Sequence, residues 1–375
     1  MSGPVRARCL DITRLASRAG RPLTGVDRVE LAYARAIAAD DVPAFGLCKT
    51  RWGYLLLNTA GLAAFAEDRG DVRRVRSLAR WRCTRLGLGR LLRRVLPPGS
   101  AYLNVGHSNL TARVCAAVRR VPGSRIGVFI HDLIPLEWPE FQRDGTVERF
   151  EAFLVRAVGE ADLLITNSDD TAAKLAAHAP DRRGDIVAAH LGVDPLSVSK
   201  SETNTGKPYV ICVGTIEPRK NHAMLLDVWA TLGPDAPELW IVGARGWNND
   251  AVFARLDASP AGVRELGSVS DEEMANLVAG ARAMVFPSLA EGFGLPPAEA
   301  LMLGTPVLCS DLPVLREFLG EFPVYLDPDD SYVWAKEIKR LQAEPASHAG
   351  RQGRHSAPFV PPSWADHFKK VLAKT

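Results

Sequence analysis

The 375-residue sequence predicts an α/β protein built as two doubly wound halves, and three observations carry that prediction. From Pro208 onward, apolar runs of four to six residues alternate with helical stretches about ten residues long, as buried parallel strands and their crossover helices do. The first 195 residues repeat the alternation less regularly. Between the halves lies Leu196–Lys207, LSVSKSETNTGK, a Ser/Thr/Gly-rich stretch of linker composition. The expected organisation is an N-terminal domain over 1–195, a linker over 196–207 and a C-terminal domain over 208–362.

Taken in order, Gly25–Ala39 has the apolar spacing of a helix, and Arg125–Ile130 and Leu163–Thr166 read as buried strands. In the second half the strands are Tyr209–Val213, Leu239–Val242, Val263–Leu266, Ala283–Phe286, Val307–Cys309 and Val324–Leu326. Helix starts are marked by Ser270 with Glu273 in capping-box spacing and by Pro296-Pro297. In such sheets ligands bind beyond the carboxyl ends of the strands, and a cleft between two such domains is the natural place for a substrate.

Composition narrows the function class. Apolar residues make up 47% and charged residues 24%, which fits a globular chain. No apolar run reaches the ~20 residues of a spanning helix, and no signal peptide is readable, so a cytoplasmic protein is expected. The six cysteines are scattered without a C-x-x-C pair, against a zinc site or a disulfide framework. Residues 1–200 hold 30 Lys+Arg against 21 Asp+Glu, while 201–375 hold 16 against 22. The basic excess centres on Arg69–Arg94, with ten arginines and the single acid Asp71. Interleaved with Val72, Val75, Leu78, Trp81, Leu88, Leu91 and Leu92, it reads as a basic amphipathic stretch suited to an anionic membrane surface. The competing reading is a solvated helical insertion. A nucleic-acid role finds only Trp81 for stacking and no binding motif.

The chemistry concentrates in Phe286–Glu299, FPSLAEGFGLPPAE. A strand runs into a glycine-rich loop and a helix, a geometry that aims amide groups and a positive helix end at a phosphate. Glu291 in the loop and Glu299 in the helix offer acceptors for hydroxyl groups. Tyr209–Asn221, YVICVGTIEPRKN, carries Arg219 and Lys220 into a turn at the same sheet edge, where they could neutralise a diphosphate. In the first half, Thr24-Gly25 opens a helix and His131 follows a strand; His107, after the apolar stretch ending at Asn104, is the alternative histidine. Asp327-Pro-Asp329 is explained as a helix N-cap rather than a metal motif. No G-x-G-x-x-G follows a strand, so nicotinamide chemistry is not supported.

The segments VGTIEPRKN, LWIVGARGW, ELGSVSDEEMANL, FPSLAEGFGLPPAEA and GTPVLCS together resemble the donor-binding half of retaining GT-B glycosyltransferases of family 4. The resemblance covers most of residues 208–330 in the family's order. It implies the GT-B fold, two Rossmann-like domains facing each other across a cleft, with a nucleotide sugar as substrate, no further cofactor and no metal. It implies that Lys220 holds the diphosphate, Glu291 the transferred sugar and Glu299 the ribose. The amides of Phe293, Gly294 and Leu295 would meet sugar and phosphate, and Leu266 and Gly267 would lie against the base. Where many relatives carry Arg, this chain has Thr215, and Arg219 is the cation expected to substitute. Gly25 resembles the family's glycine loop, and the HD-x-I-P segment implies that His131 faces the reacting sugar. Ser363–Phe368 resembles the last GT-B helix, expected as 363–375 packing back on the N-terminal domain.

EPRKN and HDLIPLEWPE are similar to segments of bacterial polysaccharide mannosyltransferases, which points first to GDP-mannose, with a UDP-hexose as the other donor class. The expected function is retaining hexosyl transfer to a saccharide acceptor, lipid-linked, in surface polysaccharide biosynthesis, at the inner face of the cytoplasmic membrane. Other GT-B chemistry such as epimerisation, and a non-enzymatic nucleic-acid- or membrane-binding role through the arginine run, are the alternatives.

Overall fold

The computed structural model describes residues 5–182, 184–198, 207–343 and 358–375. It divides into two compact units, one of Met1–Leu133, Glu148–Leu191 and Trp364–Thr375, the other of Ile134–Val147 and Gly192–Ser363.

The first unit is an eight-stranded sheet of β1 (Arg8–Asp11), β2 (Ala44–Lys49), β3 (Gly53–Leu57), β4 (Trp81–Thr84), β5 (Ala101–Asn104), β6 (Arg125–Ile130), β7 (Leu163–Thr166) and β8 (Asp185–Ala188). Their order is β4-β3-β2-β1-β5-β6-β7-β8, parallel except that β3 runs against both β2 and β4. The chain winds outward in both directions from the β1/β5 pair, so that pair is the topological switch.

The second unit is a six-stranded parallel sheet of β9 (Tyr209–Val213), β10 (Glu238–Val242), β11 (Val263–Gly267), β12 (Met284–Phe286), β13 (Val307–Ser310) and β14 (Val324–Leu326). Its order β11-β10-β9-β12-β13-β14 puts the switch between β9 and β12. All six predicted strands of this half are present within a residue or so at each end. The four inner strands β10, β9, β12 and β13 are short, largely apolar runs that are nearly all buried, a pattern that a buried parallel strand leaves in sequence, while the edge strands β11 and β14 are only partly buried. Trp229, Trp334 and Ile338 close the core on one face, and Trp334 donates its Nε1 proton to Asp327 O at 2.8 Å.

Three expectations need correction. The helical reading of Arg69–Arg94 does not hold throughout: the stretch folds as a helix over Val72–Leu78, strand β4, a short 3-10 turn over Arg85–Gly87 and a helix beginning at Leu88. Apolar residues at irregular spacing serve three different elements, with Val75, Leu88 and Leu92 buried in the unit's core.

The domain boundary also shifts. Residues 134–147 and 192–195 belong with the second unit, because Trp247 Nε1 donates to Phe141 O at 2.8 Å, Asn248 to Gln142 O at 2.7 Å, and Val193 N to Pro362 O at 3.1 Å. Of the expected linker, residues 199–206 lie outside the described residues.

Finally, Asp327 does not cap the following helix, Ser331–Ala343. It accepts from Asp329 N, closing a turn, and the cap is Asp330, whose Oδ1 accepts from Val333 N at 3.1 Å.

The C-terminal helix, Trp364–Leu372, forms part of the first unit. His367 Nδ1 donates to His190 O at 3.0 Å and its Nε2 accepts from Tyr33 Oη at 2.8 Å, while Arg8 reaches Leu372 O and Thr375 Oγ1. All six cysteines are free, and among the described residues no group of His, Cys, Asp and Glu is arranged to hold a metal ion.

Candidate functional site

The β9/β12 switch brings the loops after Val213 and Phe286 side by side. After β9 the chain turns at Gly214, whose φ is +145°, and passes so close to Gly243 that a Cβ there would lie 2.0 Å from Gly214 O. A single 3-10 turn over Pro218–Lys220 follows. It ends at Asn221, left-handed at φ 55°, whose side chain donates to Pro328 O. The two loops are joined by Leu289 N to Arg219 O at 2.7 Å and Arg219 Nη1 to Ala290 O at 2.9 Å.

On this frame sits a buried ion network. Lys220 Nζ pairs with Glu291 Oε1; Arg219 Nη1 lies 3.0 Å from Glu291 Oε2, and Arg219 Nε lies 2.6 Å from Glu217 Oε1. The ammonium of Lys220 also stands 4.5 Å from the centroid of the Phe286 ring. Burial alone would raise the Glu291 carboxyl, but the adjacent charges of Lys220 and Arg219 outweigh it and bring it down to about 2. Burial lowers Lys220, and the Glu291 charge opposes that shift. Sequence reasoning assigned Lys220 and Glu291 to different parts of a ligand and missed that they bind one another. It also passed over Glu217, which is 3% exposed and completes the charge balance.

Beyond Glu291 the loop needs glycine at Gly294. Its φ is +106°, and a Cβ would meet Leu315 Cδ2 at 2.5 Å. Gly294 caps the helix Leu295–Met302, in whose first turn Pro296 and Pro297 carry no N–H, leaving Leu295 and Ala298 as amide donors. Phe293 stacks on Phe318 at 4.1 Å between centroids, which fixes the loop's backbone. Glu299 is buried within that helix. Thr215 is exposed beyond Gly214, and Leu266 and Gly267 end β11, with Gly267 O accepting from Gly243 N at 2.8 Å. All ten predicted residues of this half thus stand at or beyond the carboxyl edge of one sheet.

In the first unit, Thr24 caps the helix Gly25–Ala39 by a reciprocal box with Asp27, which also pairs with Arg14 and Arg18. Gly25 is exposed, with open space where a Cβ would stand. His131 and His107 each reach across to a backbone carbonyl of the other's loop: His131 Nε2 to Val105 O at 2.8 Å, His107 Nε2 to Phe129 O at 2.7 Å. Each Nε2 therefore carries the proton, and burial keeps both rings neutral, His131 brought down to about 4 and His107 well below its ordinary value. Their rings lie 4.8 Å apart, so the two candidates form one assembly rather than rivals.

Sequence reasoning missed the polar cluster at the β1/β5 switch of this unit. Asp11, 1% exposed, accepts from Tyr102 Oη at 2.8 Å, Asn109 Nδ2 at 2.7 Å and Thr13 N at 3.0 Å. Glu30, fully buried, accepts from Leu15 N, and burial raises its carboxyl well above the ordinary range, with Asp11 adding to the shift. A carboxylate directly after the apolar run Cys9-Leu10 was the signal available.

Residues 195–355 match the family model described as Glycosyl transferases group 1. The serotype-specific mannosyltransferase WbdA of Escherichia coli is 32% identical over 249 residues, 60% of this chain and 30% of that protein. The O-antigen chain mannosyltransferase RfbU of Salmonella typhimurium is 30% identical over 244 residues, 62% of this chain and 65% of that protein. The chain thus matches between about a third and two thirds of the length of these curated relatives. Among solved structures, Anabaena Alr3699/HepE in complex with UDP superposes with a TM-score of 0.64 at 17% identity, over 93% of this chain and 95% of that one. Residues 195–355 therefore match glycosyl transferases group 1, the fold is that of GT-B enzymes, and the chain resembles bacterial O-antigen mannosyltransferases.

Proposed function

We propose that this protein is a glycosyltransferase of bacterial surface polysaccharide synthesis, moving a hexose from a nucleotide sugar to a saccharide acceptor with retention at the anomeric carbon. The observation that carries the reading is the Glu217–Arg219–Glu291–Lys220 network at the β9/β12 switch. It holds two cations that a diphosphate can take over and two carboxylates that hydroxyl groups can address.

When the donor binds, its diphosphate draws Lys220 and Arg219 by charge-assisted hydrogen bonds. That releases an oxygen of Glu291 to accept from the sugar's hydroxyls. Glu299 accepts from the ribose, the amides of Phe293, Gly294 and Leu295 meet the sugar and phosphate, and Leu266 and Gly267 flank the base. Where Thr215 brings no charge, Arg219 serves as the second cation. Gly25 is the first unit's candidate for a phosphate contact, and the neutral His131, held with His107, its candidate for facing the reacting sugar. Catalysis is then chiefly electrostatic: fixed cations and amides stabilise the negative charge that develops on the leaving diphosphate, without a metal.

The likeness to WbdA and RfbU supports mannose, and GDP-mannose is the donor proposed first; a lipid-linked acceptor on the cytoplasmic side completes the reading. Incubation of the purified protein with a panel of GDP- and UDP-hexoses tests it. Release of GDP from GDP-mannose above the other donors supports the proposal, and turnover of none of them, with or without added oligomannose, refutes it.

A further inference from the structure

The first unit carries an exposed apolar tip in a basic field that the site does not use. Trp52 is 72% exposed and Leu86 is 86% exposed. They stand on neighbouring turns, Trp52 between β2 and β3 and Leu86 just after β4. Thr50 fixes the first turn, its N–H donating to Gly53 O at 2.8 Å while its hydroxyl accepts from Trp52 N and Gly53 N. Gly53 lies so close to β4 that a Cβ there would meet Cys83 O at 2.0 Å, and Arg85 Nη2 donates to Arg51 O at 3.0 Å. The two turns are thus locked side by side, and exposure of both side chains is set by the fold rather than by a loose loop.

The surroundings are cationic. Arg51 lies over the Trp52 ring at 4.9 Å, and the exposed Arg82, Arg85 and Arg113 are close by. Residues 42–131 contain sixteen Lys and Arg against three acids, Glu67, Asp68 and Asp71. Of these, Asp68 pairs with Arg74 and Asp71 caps a helix. Because β4 runs parallel to β2, the tip stands at the carboxyl edge of the sheet, the edge on which Gly25, His107 and His131 also stand.

We infer that this tip docks the protein on an anionic lipid surface, Trp52 and Leu86 entering the interface while Arg51, Arg82 and Arg85 meet lipid phosphates. An indole and an aliphatic side chain flanked by arginines match the headgroup boundary, where an apolar body and a charged rim are both satisfied. Nucleic acid would use the arginines but gains nothing from a leucine, and a second copy of the same patch would face its own charge. The placement also delivers a lipid-borne acceptor to the edge that holds the histidines.

Co-sedimentation with vesicles of mixed phosphatidylglycerol and phosphatidylcholine, against phosphatidylcholine alone, tests the inference. Wild type should sediment with the mixed vesicles in a salt-sensitive manner. Trp52→Ser with Leu86→Ser should weaken that binding about tenfold or more while leaving the circular dichroism spectrum and melting temperature unchanged, since both side chains are exposed. Arg51→Glu with Arg85→Glu should abolish it. Wild-type sedimentation of the Trp52/Leu86 variant, or no vesicle binding by wild type, would overturn the inference. So would binding of duplex RNA, sensitive to the same substitutions and tighter than vesicle binding. The assay needs no nucleotide sugar, so its failure leaves the transferase reading standing.

Discussion

Lys220 and Glu291 hold each other, and this changes what their substitution should do. From sequence, Lys220→Ala is expected to lose activity at an unchanged melting temperature. In the structure Lys220 is buried against Glu291, so truncation removes one partner of a buried ion pair and costs stability as well, on the order of 3 kcal/mol before Arg219 compensates. Lys220→Ala should therefore lower both the melting temperature and donor turnover. Lys220→Met with Glu291→Leu should recover most of the stability, because neither charge is left alone, yet remain inactive. Thermal melts beside a donor-turnover assay separate these; full stability in Lys220→Ala would show that the pair is not formed in solution.

The two glutamates of the same loop and helix should also part company. Glu299→Gln should weaken binding of the free nucleoside diphosphate, whereas Glu291→Gln should leave it equal or tighter and slow transfer, its loss falling on kcat. Tighter binding follows because the neutral amide no longer competes with the diphosphate for Lys220. Isothermal calorimetry decides it, and equal weakening in both variants refutes the division of roles.

At the scale of elements, the loop–helix junction at Gly294 concentrates two demands on one residue: a positive φ and contact with Leu315. Gly294→Ala should destabilise the C-terminal unit by about 2 kcal/mol or more, from backbone strain plus the displaced Leu315. Gly304 has a φ of +73° with nothing within 4 Å of a built Cβ, so Gly304→Ala carries strain alone, about 1 kcal/mol. Denaturant melts of the two variants should therefore differ, and equal losses would mean that Leu315 relaxes freely. The strand–loop–helix order around Gly294 was legible because glycine and proline punctuate it. The steric reason was not, since Leu315 lies 21 positions further along.

For the whole molecule, buried neutral histidines set the acid limit of stability. Burial brings His131, His222 and His367 each down to about 4, against 6.5 for an ordinary histidine. Between those values the unfolded chain binds protons that the folded protein does not, so stability falls as pH drops through 6.5 and the loss ends near 4. Each histidine contributes a slope of about 1.4 kcal/mol per pH unit in that window. Glu291 works in a lower window: its contribution is present above 4.5 and fades toward 2. Chemical denaturation across this range should show the histidine slope. His367→Gln should flatten it by one histidine's share while lowering stability at neutral pH through loss of the Tyr33 bond. An unchanged slope would mean that the C-terminal helix is not docked on the first unit in solution.

The sequence by itself determined the class of the fold and singled out the strand–loop–helix segments of the candidate site. Buried parallel strands are short apolar runs, and a tight loop between strand and helix shows itself by glycine, proline and charge. Both are local signals that survive in one dimension. The β9/β12 switch, the tie between Lys220 and Glu291 and the crossed histidine loops were decided only in three dimensions. Each joins residues far apart in the chain, and nothing in the local pattern of either partner names the other. The arginine run shows the same limit from the other side. Its charge was plain in the sequence, but its division into two helices, a strand and a 3-10 turn depended on which apolar residues found a core.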